Sequence, residues 1–270
     1  MNKERVLILF SGGQDSTCML LGCIDEYGAE NILTLGFDYG QRHFEKENEA
    51  AEKICKRFNI SHKVLKVPLG DIATNNALTN KDNEMPTDMA QQKNTVVQLR
   101  NMMFLTFAAS YAAENGCSKI FHGSCGEDQA VYRDCRPEFF KFMEFAIQAG
   151  LTSPIKGSNN VTDDLEIMTV LNPYTFEPKS ISIIPALKLD VQIETPLIKE
   201  KKEETLARIL KKWDVEIFKD TWTCYNGGLG KYNGLSCGVC PSCQERLEAF
   251  KACGVEDPIE YYEHQRTYDK

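Results

Sequence analysis

Nowhere in the 270-residue chain do the roughly 18 consecutive apolar residues of a membrane span occur. The first apolar run, Val6 to Phe10, is too short for a signal-peptide core and has no small-residue cleavage site after it, so a cytoplasmic protein is expected. Positive charge is in deficit: 31 Lys+Arg stand against 39 Asp+Glu, a net charge of −8. Extended contact with nucleic-acid phosphates favours the opposite sign, so no direct nucleic-acid partner is expected. Internal repeats and low-complexity tracts are absent too, and with 42% hydrophobic and 26% charged residues the composition is that of an ordinary folded protein. Cysteine, by contrast, is plentiful. Eleven cysteines, an odd number, in a chain of this kind point to buried, catalytic or metal-binding thiols rather than disulfides.

The first half alternates strand-like and helix-like signals. Val6–Phe10, Asn31–Phe37, His62–Val67 and Lys119–His122 read as strands. Ser16–Tyr27, Phe44–Phe58, Leu99–Glu114 and Pro137–Ala149 read as helices, the last with a proline suited to its first turn. Such alternation predicts an α/β fold, a doubly wound parallel sheet covered on both faces. Two segments break the rhythm: a polar stretch, Gly70–Asn94, expected to be a functional or mobile loop, and an excursion at about 153–190 with apolar islands at 165–171 and 181–189. A charged helix, Lys199–Trp213, follows. The expected division is residues 1–220 as the α/β domain and 221–270, with its clustered Gly and Cys, as a small metal-organised module.

Phe10-Ser11-Gly12-Gly13-Gln14-Asp15-Ser16-Thr17 follows a buried strand and opens a helix. The glycines permit close backbone approach. The amides of the turn and the helix N-terminus then converge on one point that favours an anion. Ser11, Ser16 and Thr17 add hydroxyls, and Asp15 is suited to hold Mg²⁺ or to cap the helix. The string lacks the Gly-Lys-Ser/Thr ending of the common nucleoside-triphosphate loop and is not the dinucleotide fingerprint. It resembles the phosphate loop of the N-type ATP pyrophosphatases, the PP-loop superfamily. That resemblance implies an adenine nucleotide α-hydrolase-like fold and ATP-driven adenylation of a carbonyl or carboxylate oxygen, and leaves the acceptor open.

Cys237-Gly238-Val239-Cys240-Pro241-Ser242-Cys243 is Cys-x2-Cys-x2-Cys, with Cys224 thirteen positions earlier. Four thiolates so spaced suit tetrahedral Zn²⁺ in a structural site; an iron–sulfur cluster is the main rival.

Loop and cysteine module together resemble one family, the 7-cyano-7-deazaguanine synthases (QueC). Similar motifs recur in order. They are Phe37-Asp38-Tyr39-Gly40-Gln41-Arg42-His43; Arg100-Asn101-Met102-Met103-Phe104-Leu105-Thr106; Tyr132-Arg133-Asp134-Cys135-Arg136-Pro137-Glu138-Phe139; Glu194-Thr195-Pro196-Leu197 with Lys202 and Glu204; and Thr223-Cys224-Tyr225-Asn226-Gly227. The match spans everything except the excursion and a few loops. It implies an ATP-dependent C–N ligase: ATP adenylates the carboxylate of 7-carboxy-7-deazaguanine, ammonia gives the amide, and a second ATP drives dehydration to the nitrile, with release of AMP and pyrophosphate. It also implies a homodimer. On this resemblance Asp15, Arg100 and Lys202 are the catalytic candidates. Phe10 to Thr17 hold ATP and Mg²⁺. Gln41, Arg42, His43, Tyr132, Asp134, Cys135 and Arg136 are candidates for the substrate pocket. Asp134 is cast as the carboxylate for a guanine-like edge and Tyr132 as a stacking ring. Alternatives stay open: a solvated helix face for Lys202, a helix cap for His43, and simple packing for Cys135.

The chain departs from the family pattern in places. Gln98-Leu99 stands where the family has Pro-Gly before Arg-Asn, a change expected to reshape the pocket. Ser-Gly is lost before Tyr132, Arg133 replaces a proline, and the excursion has no counterpart. These departures put the acceptor in question. The alternative is a QueC-like ligase delivering the activated deazaguanine to another amine, such as a protein N-terminus, in phage defence, with 153–190 as its partner surface.

Overall fold

The computed structural model describes residues 4–87, 94–151, 165–171, 178–185 and 191–262, except for the side chains of 165–171 and 178–185. In chain order the elements are β1 (Val6–Leu9), α1 (Gln14–Tyr27), β2 (Ile32–Asp38), α2 (Phe44–Phe58), β3 (Ser61–Lys66), α3 (Arg100–Glu114), β4 (Lys119–Phe121), α4 (Asp128–Val131), α5 (Pro137–Gly150), β5 (Leu165–Leu171), β6 (Pro178–Pro185), β7 (Gln192–Glu194), α6 (Lys202–Leu210) and α7 (Pro241–Ala252).

Five strands form one parallel sheet in the order β3-β2-β1-β4-β7. The apolar run of β1 is buried on both faces. Val6, Ile8 and Phe10 pack with Met19 and Leu20 of α1 and Ala51 and Ile54 of α2. Leu7 and Leu9 face the other way, onto Leu105 and Ala108 of α3 and Phe140 and Met143 of α5. The period of two along β1 therefore sorts the helices into two layers, the doubly wound arrangement expected from the sequence.

Helix ends follow local chemistry. α2 carries Glu45 and Glu47 in its first turn and Lys56 and Arg57 in its last, matching the helix dipole, and stops at Asn59 in the left-handed conformation. Pro137 and Pro241 open α5 and α7, where a missing N–H costs nothing.

The chain runs from β1 out through β2 and β3, then crosses to β4 on the opposite side of β1. The carboxyl ends of β1 and β4 thus flank the switch point, where open α/β sheets bind ligands. α7 packs with α1 and α6 through Cys18, Leu21, Leu206, Ile209, Ala249 and Phe250. The buried Arg246 of α7 forks onto Asp257 at 2.7 and 2.8 Å and donates to Thr221 Oγ1 at 2.6 Å.

The eight elements read in the first half appear within about two residues of the expected bounds. The charged helix is shorter than expected, Lys202–Leu210. β7 was not foreseen. Within the excursion β5 and β6 pair antiparallel, while the partner surface expected there falls largely outside the described residues. As far as it is described, the polar stretch is docked rather than loose: Arg42 Nη2 donates to the carbonyls of Asn80 and Asn83, each at 2.6 Å, and Leu69, Leu78 and Val97 pack with Tyr39.

Candidate active site

At the switch point lies a cavity of about 270 Å³. Its floor is the loop after β1. Gly12 has φ +77°, and a Cβ there would come within 2.5 Å of Ala51 N and 2.9 Å of Glu47 O, so only glycine lets α2 press against the loop. Gly13 N donates to Ser11 Oγ at 3.3 Å, and Ser16 Oγ donates to Gly13 O at 3.2 Å. Phe10, Ser11, Gly13, Gln14, Asp15 and Ser16 line the cavity; Gly12 and Thr17 shape the loop from behind without lining it. The Gln14 amide is buried at 3% exposure, and neither its nitrogen nor its oxygen has a protein partner. A buried amide left so is costly, and a ligand in the cavity would satisfy it.

Lys202 reaches the floor from the start of α6. Its Nζ lies 3.2 Å from Asp15 Oδ2, 3.9 Å from Asp128 Oδ1 and 2.6 Å from Glu245 Oε2, and its side chain is only 11% exposed. Burial works against the ammonium, but the three carboxylates outweigh it and hold its pKa well above the ordinary lysine value. The solvated-face reading of Lys202 is thereby corrected. Asp15 engages this lysine rather than capping α1, whose cap position is Gly13 with no side-chain bond.

Arg100, at the first position of α3, forms another wall. Its Nη1 donates to Tyr39 Oη at 3.3 Å, and its guanidinium lies 5.8 Å from the Tyr39 ring and 5.6 Å from the Tyr132 ring. Tyr132 is fixed by a hydroxyl contact with Thr95 at 3.0 Å. Just before Arg100, Leu99 occupies the left-handed region at φ 58°. Glycine adopts that backbone angle without strain, whereas leucine pays for it.

Of the seven substrate-pocket candidates, Gln41, His43, Tyr132 and Cys135 line the cavity. Gln41 also braces its own turn, accepting from Tyr39 N at 2.8 Å and donating to Phe37 O at 2.9 Å. His43 makes no side-chain cap on α2; burial lowers its pKa to about 3, which leaves the ring neutral. Burial pushes the Cys135 thiol up to about 12, which removes it as a nucleophile near neutral pH. Arg42, Asp134 and Arg136 do not line the cavity. Arg42 is committed to the Asn80 and Asn83 carbonyls. Asp134 Oδ2 accepts from Asn101 N at 3.1 Å, capping α3, and Arg136 Nε donates to Gln129 O at 3.2 Å.

Sequence reasoning missed Glu47, Asn101, His122, Ser124, Asp128, Trp222 and Ser242, which also line the cavity, and Glu245, which reaches it through Lys202. Glu47 follows His43 by one helical turn, a spacing that could have flagged it. Asp128 and Glu245 sit in runs with no local signal.

Cys224, Cys237, Cys240 and Cys243 are buried with their sulfur atoms within 4.8 Å of one another. Cys237 N donates to Cys224 Sγ at 3.2 Å and Cys240 N to Cys237 Sγ at 3.3 Å. Gly238 supplies the positive φ that the tight turn demands. Amides aimed at sulfur and four converging thiols fit a tetrahedral metal ion. The module touches the cavity directly: Trp222 N donates to Gly12 O at 3.0 Å, and Trp222, Thr223, Tyr225 and Ser242 line one wall.

Among known proteins, the chain is 30% identical over 262 residues to 7-cyano-7-deazaguanine synthase 1 of Colwellia psychrerythraea, covering 96% of this chain and 99% of that one. It is 34% identical over 261 residues to 7-cyano-7-deazaguanine synthase of Caldicellulosiruptor saccharolyticus, covering 95% of each. Among solved structures it resembles, at a TM-score of 0.40 and 17% identity, the U34-tRNA thiolase NcsA of Methanococcus maripaludis with its 4Fe-4S cluster, over 79% of this chain and 58% of that one. The family model described as queuosine biosynthesis protein QueC matches residues 5–254, and the chain belongs to the QueC family.

Proposed function

We propose that this chain converts 7-carboxy-7-deazaguanine to 7-cyano-7-deazaguanine, with two rounds of ATP cleavage to AMP and pyrophosphate and with free ammonia as the nitrogen source. The relatives carry that synthase name over nearly the whole chain. The observation that carries the chemistry is the convergence, in one cavity, of the loop Ser11–Ser16, Lys202 and Arg100. A carboxylate is a poor electrophile until one oxygen becomes a good leaving group. Adenylation achieves this, and the work left to the protein is positioning and charge stabilisation.

In this reading the loop amides and the hydroxyls of Ser11 and Ser16 hold the polyphosphate, and the unsatisfied Gln14 amide finds its partner there. Lys202 faces the charge that develops on the departing pyrophosphate. Arg100, held between Tyr39 and Tyr132, faces the substrate carboxylate. The planar deazapurine fits the aromatic wall of Tyr39, Tyr132 and Tyr225. Asp15, whose Oδ1 has no partner among the described residues, would hold Mg²⁺, which neutralises phosphate charge when bound. Zn²⁺ would be held by the four thiolates in a closed structural site. The assembly in this reading is a homodimer in the cytoplasm; Phe107 of α3 and Phe142 and Phe145 of α5 offer exposed apolar surface for it.

The test is mass analysis of the products formed from Mg-ATP, 7-carboxy-7-deazaguanine and ammonium. The nitrile together with AMP and pyrophosphate is expected. Pyrophosphate without amide or nitrile would point to a different amine acceptor, and no ATP consumption would overturn the substrate assignment.

A further inference from the structure

Three carboxylates line the cavity: Asp15, Glu47 and Asp128. Two of them are held by Lys202. Glu47 forms no such ion pair. Its Oε2 accepts from Gln41 Nε2 at 3.3 Å and lies 3.6 Å from His43 Nε2, and its Oε1 has no donor among the described residues. The groups facing it are Tyr39, Gln41 and His43 from the turn between β2 and α2, and Arg100 from α3. Burial raises the Glu47 carboxyl to about 7, and the opposing effects of Gln41 and Arg100 do not cancel it. The neighbours do not compete for a proton near neutrality. Burial holds His43 down at about 3 and His122 at about 4, and Tyr39 and Cys135 up at about 12.

The synthase reaction needs a group of this kind. Between ammonia and the nitrile, nitrogen loses all three of its protons. We propose that Glu47 is the general base that takes protons from the reacting nitrogen, an assignment that rests on the synthase reading above. In the first round nitrogen attacks the adenylated carbonyl carbon. The C–N bond forms, the C–O bond to AMP breaks with its electron pair leaving on AMP, and an N–H proton passes to the Glu47 carboxylate. In the second round the amide oxygen, once adenylated, leaves as AMP while the last N–H protons depart and the carbon–nitrogen triple bond closes. Glu47 returns each proton to solvent before accepting the next.

The two halves of the reaction separate this role from binding. Pyrophosphate exchange into ATP with 7-carboxy-7-deazaguanine, without ammonium, reports adenylation alone; nitrile formation reports both halves. Glu47→Gln keeps shape and hydrogen bonding but accepts no proton. It is expected to retain exchange and its melting temperature while nitrile formation falls about a hundredfold, with Glu47→Asp recovering part of the loss. At fixed free ammonia the wild-type nitrile rate is expected to rise with pH through about 7, because the ionised form is the base, and that limb vanishes in the glutamine variant. Nitrile formation at the wild-type rate by Glu47→Gln would overturn the proposal. So would parallel loss of exchange and nitrile, which would make Glu47 a binding or structural residue. A wild-type protein without exchange would overturn the synthase reading itself.

Discussion

In sequence Lys202 lies inside Lys-Glu-Lys-Lys-Glu-Glu, a run that ordinarily marks a solvated helix face. In the fold its ammonium meets carboxylates from three other parts of the chain, Asp15, Asp128 and Glu245. Nothing local to residue 202 carries that information. The loop residues are the opposite case: Ser11 to Ser16 were legible because glycine freedom, helix polarity and hydroxyl donors are properties of adjacent positions. Leu99 lies between. The sequence shows a leucine, and the structure shows its cost, a left-handed backbone at φ 58° with the side chain 54% exposed. That conformation costs an L residue about 1–2 kcal/mol, and glycine would give back about 0.5–1 kcal/mol in backbone entropy. Leu99→Gly is therefore expected to stabilise the protein by about 0.5–1 kcal/mol, a rise of about 2 °C in Tm by calorimetry. A fall would show that the leucine side chain contributes more than its exposure implies.

At the scale of elements, the cysteine module is more than an appendage. Trp222, Thr223, Tyr225 and Ser242 form a wall of the cavity, α7 carries Glu245 to Lys202, and α7 shares its apolar face with α1 and α6. Metal removal by a strong chelator is therefore expected to lower the melting temperature of the whole chain and to abolish ATP turnover, with zinc released at one ion per chain by elemental analysis. Retained turnover after complete metal loss would contradict this account, and iron with sulfide in place of zinc would correct the metal. Long periodic elements such as α2 were legible from pattern alone. β7 was not, because three half-buried residues, Gln192–Glu194, show neither alternation nor a continuous apolar run. At the start of α3, Asp134, expected at the substrate edge, lies off the cavity lining and accepts from the Asn101 amide, a contact 33 positions away in sequence.

For the molecule as a whole, strand–helix alternation gave the doubly wound class, while strand order needed the structure. That order decides function, because it puts the ends of β1 and β4 side by side and so gathers residues as distant as Ser11, Arg100, Tyr132, Lys202 and Tyr225 around one cavity. The double adenylation, of two oxygens on one carbon in turn, is the step on which the proposed function stands. It is tested most directly by placing a heavy-oxygen label in both oxygens of the 7-carboxy-7-deazaguanine carboxylate and analysing the AMP by mass spectrometry. One labelled oxygen is expected in each of two AMP molecules per nitrile, and none in pyrophosphate. Label in inorganic phosphate, or AMP that carries none, would contradict it.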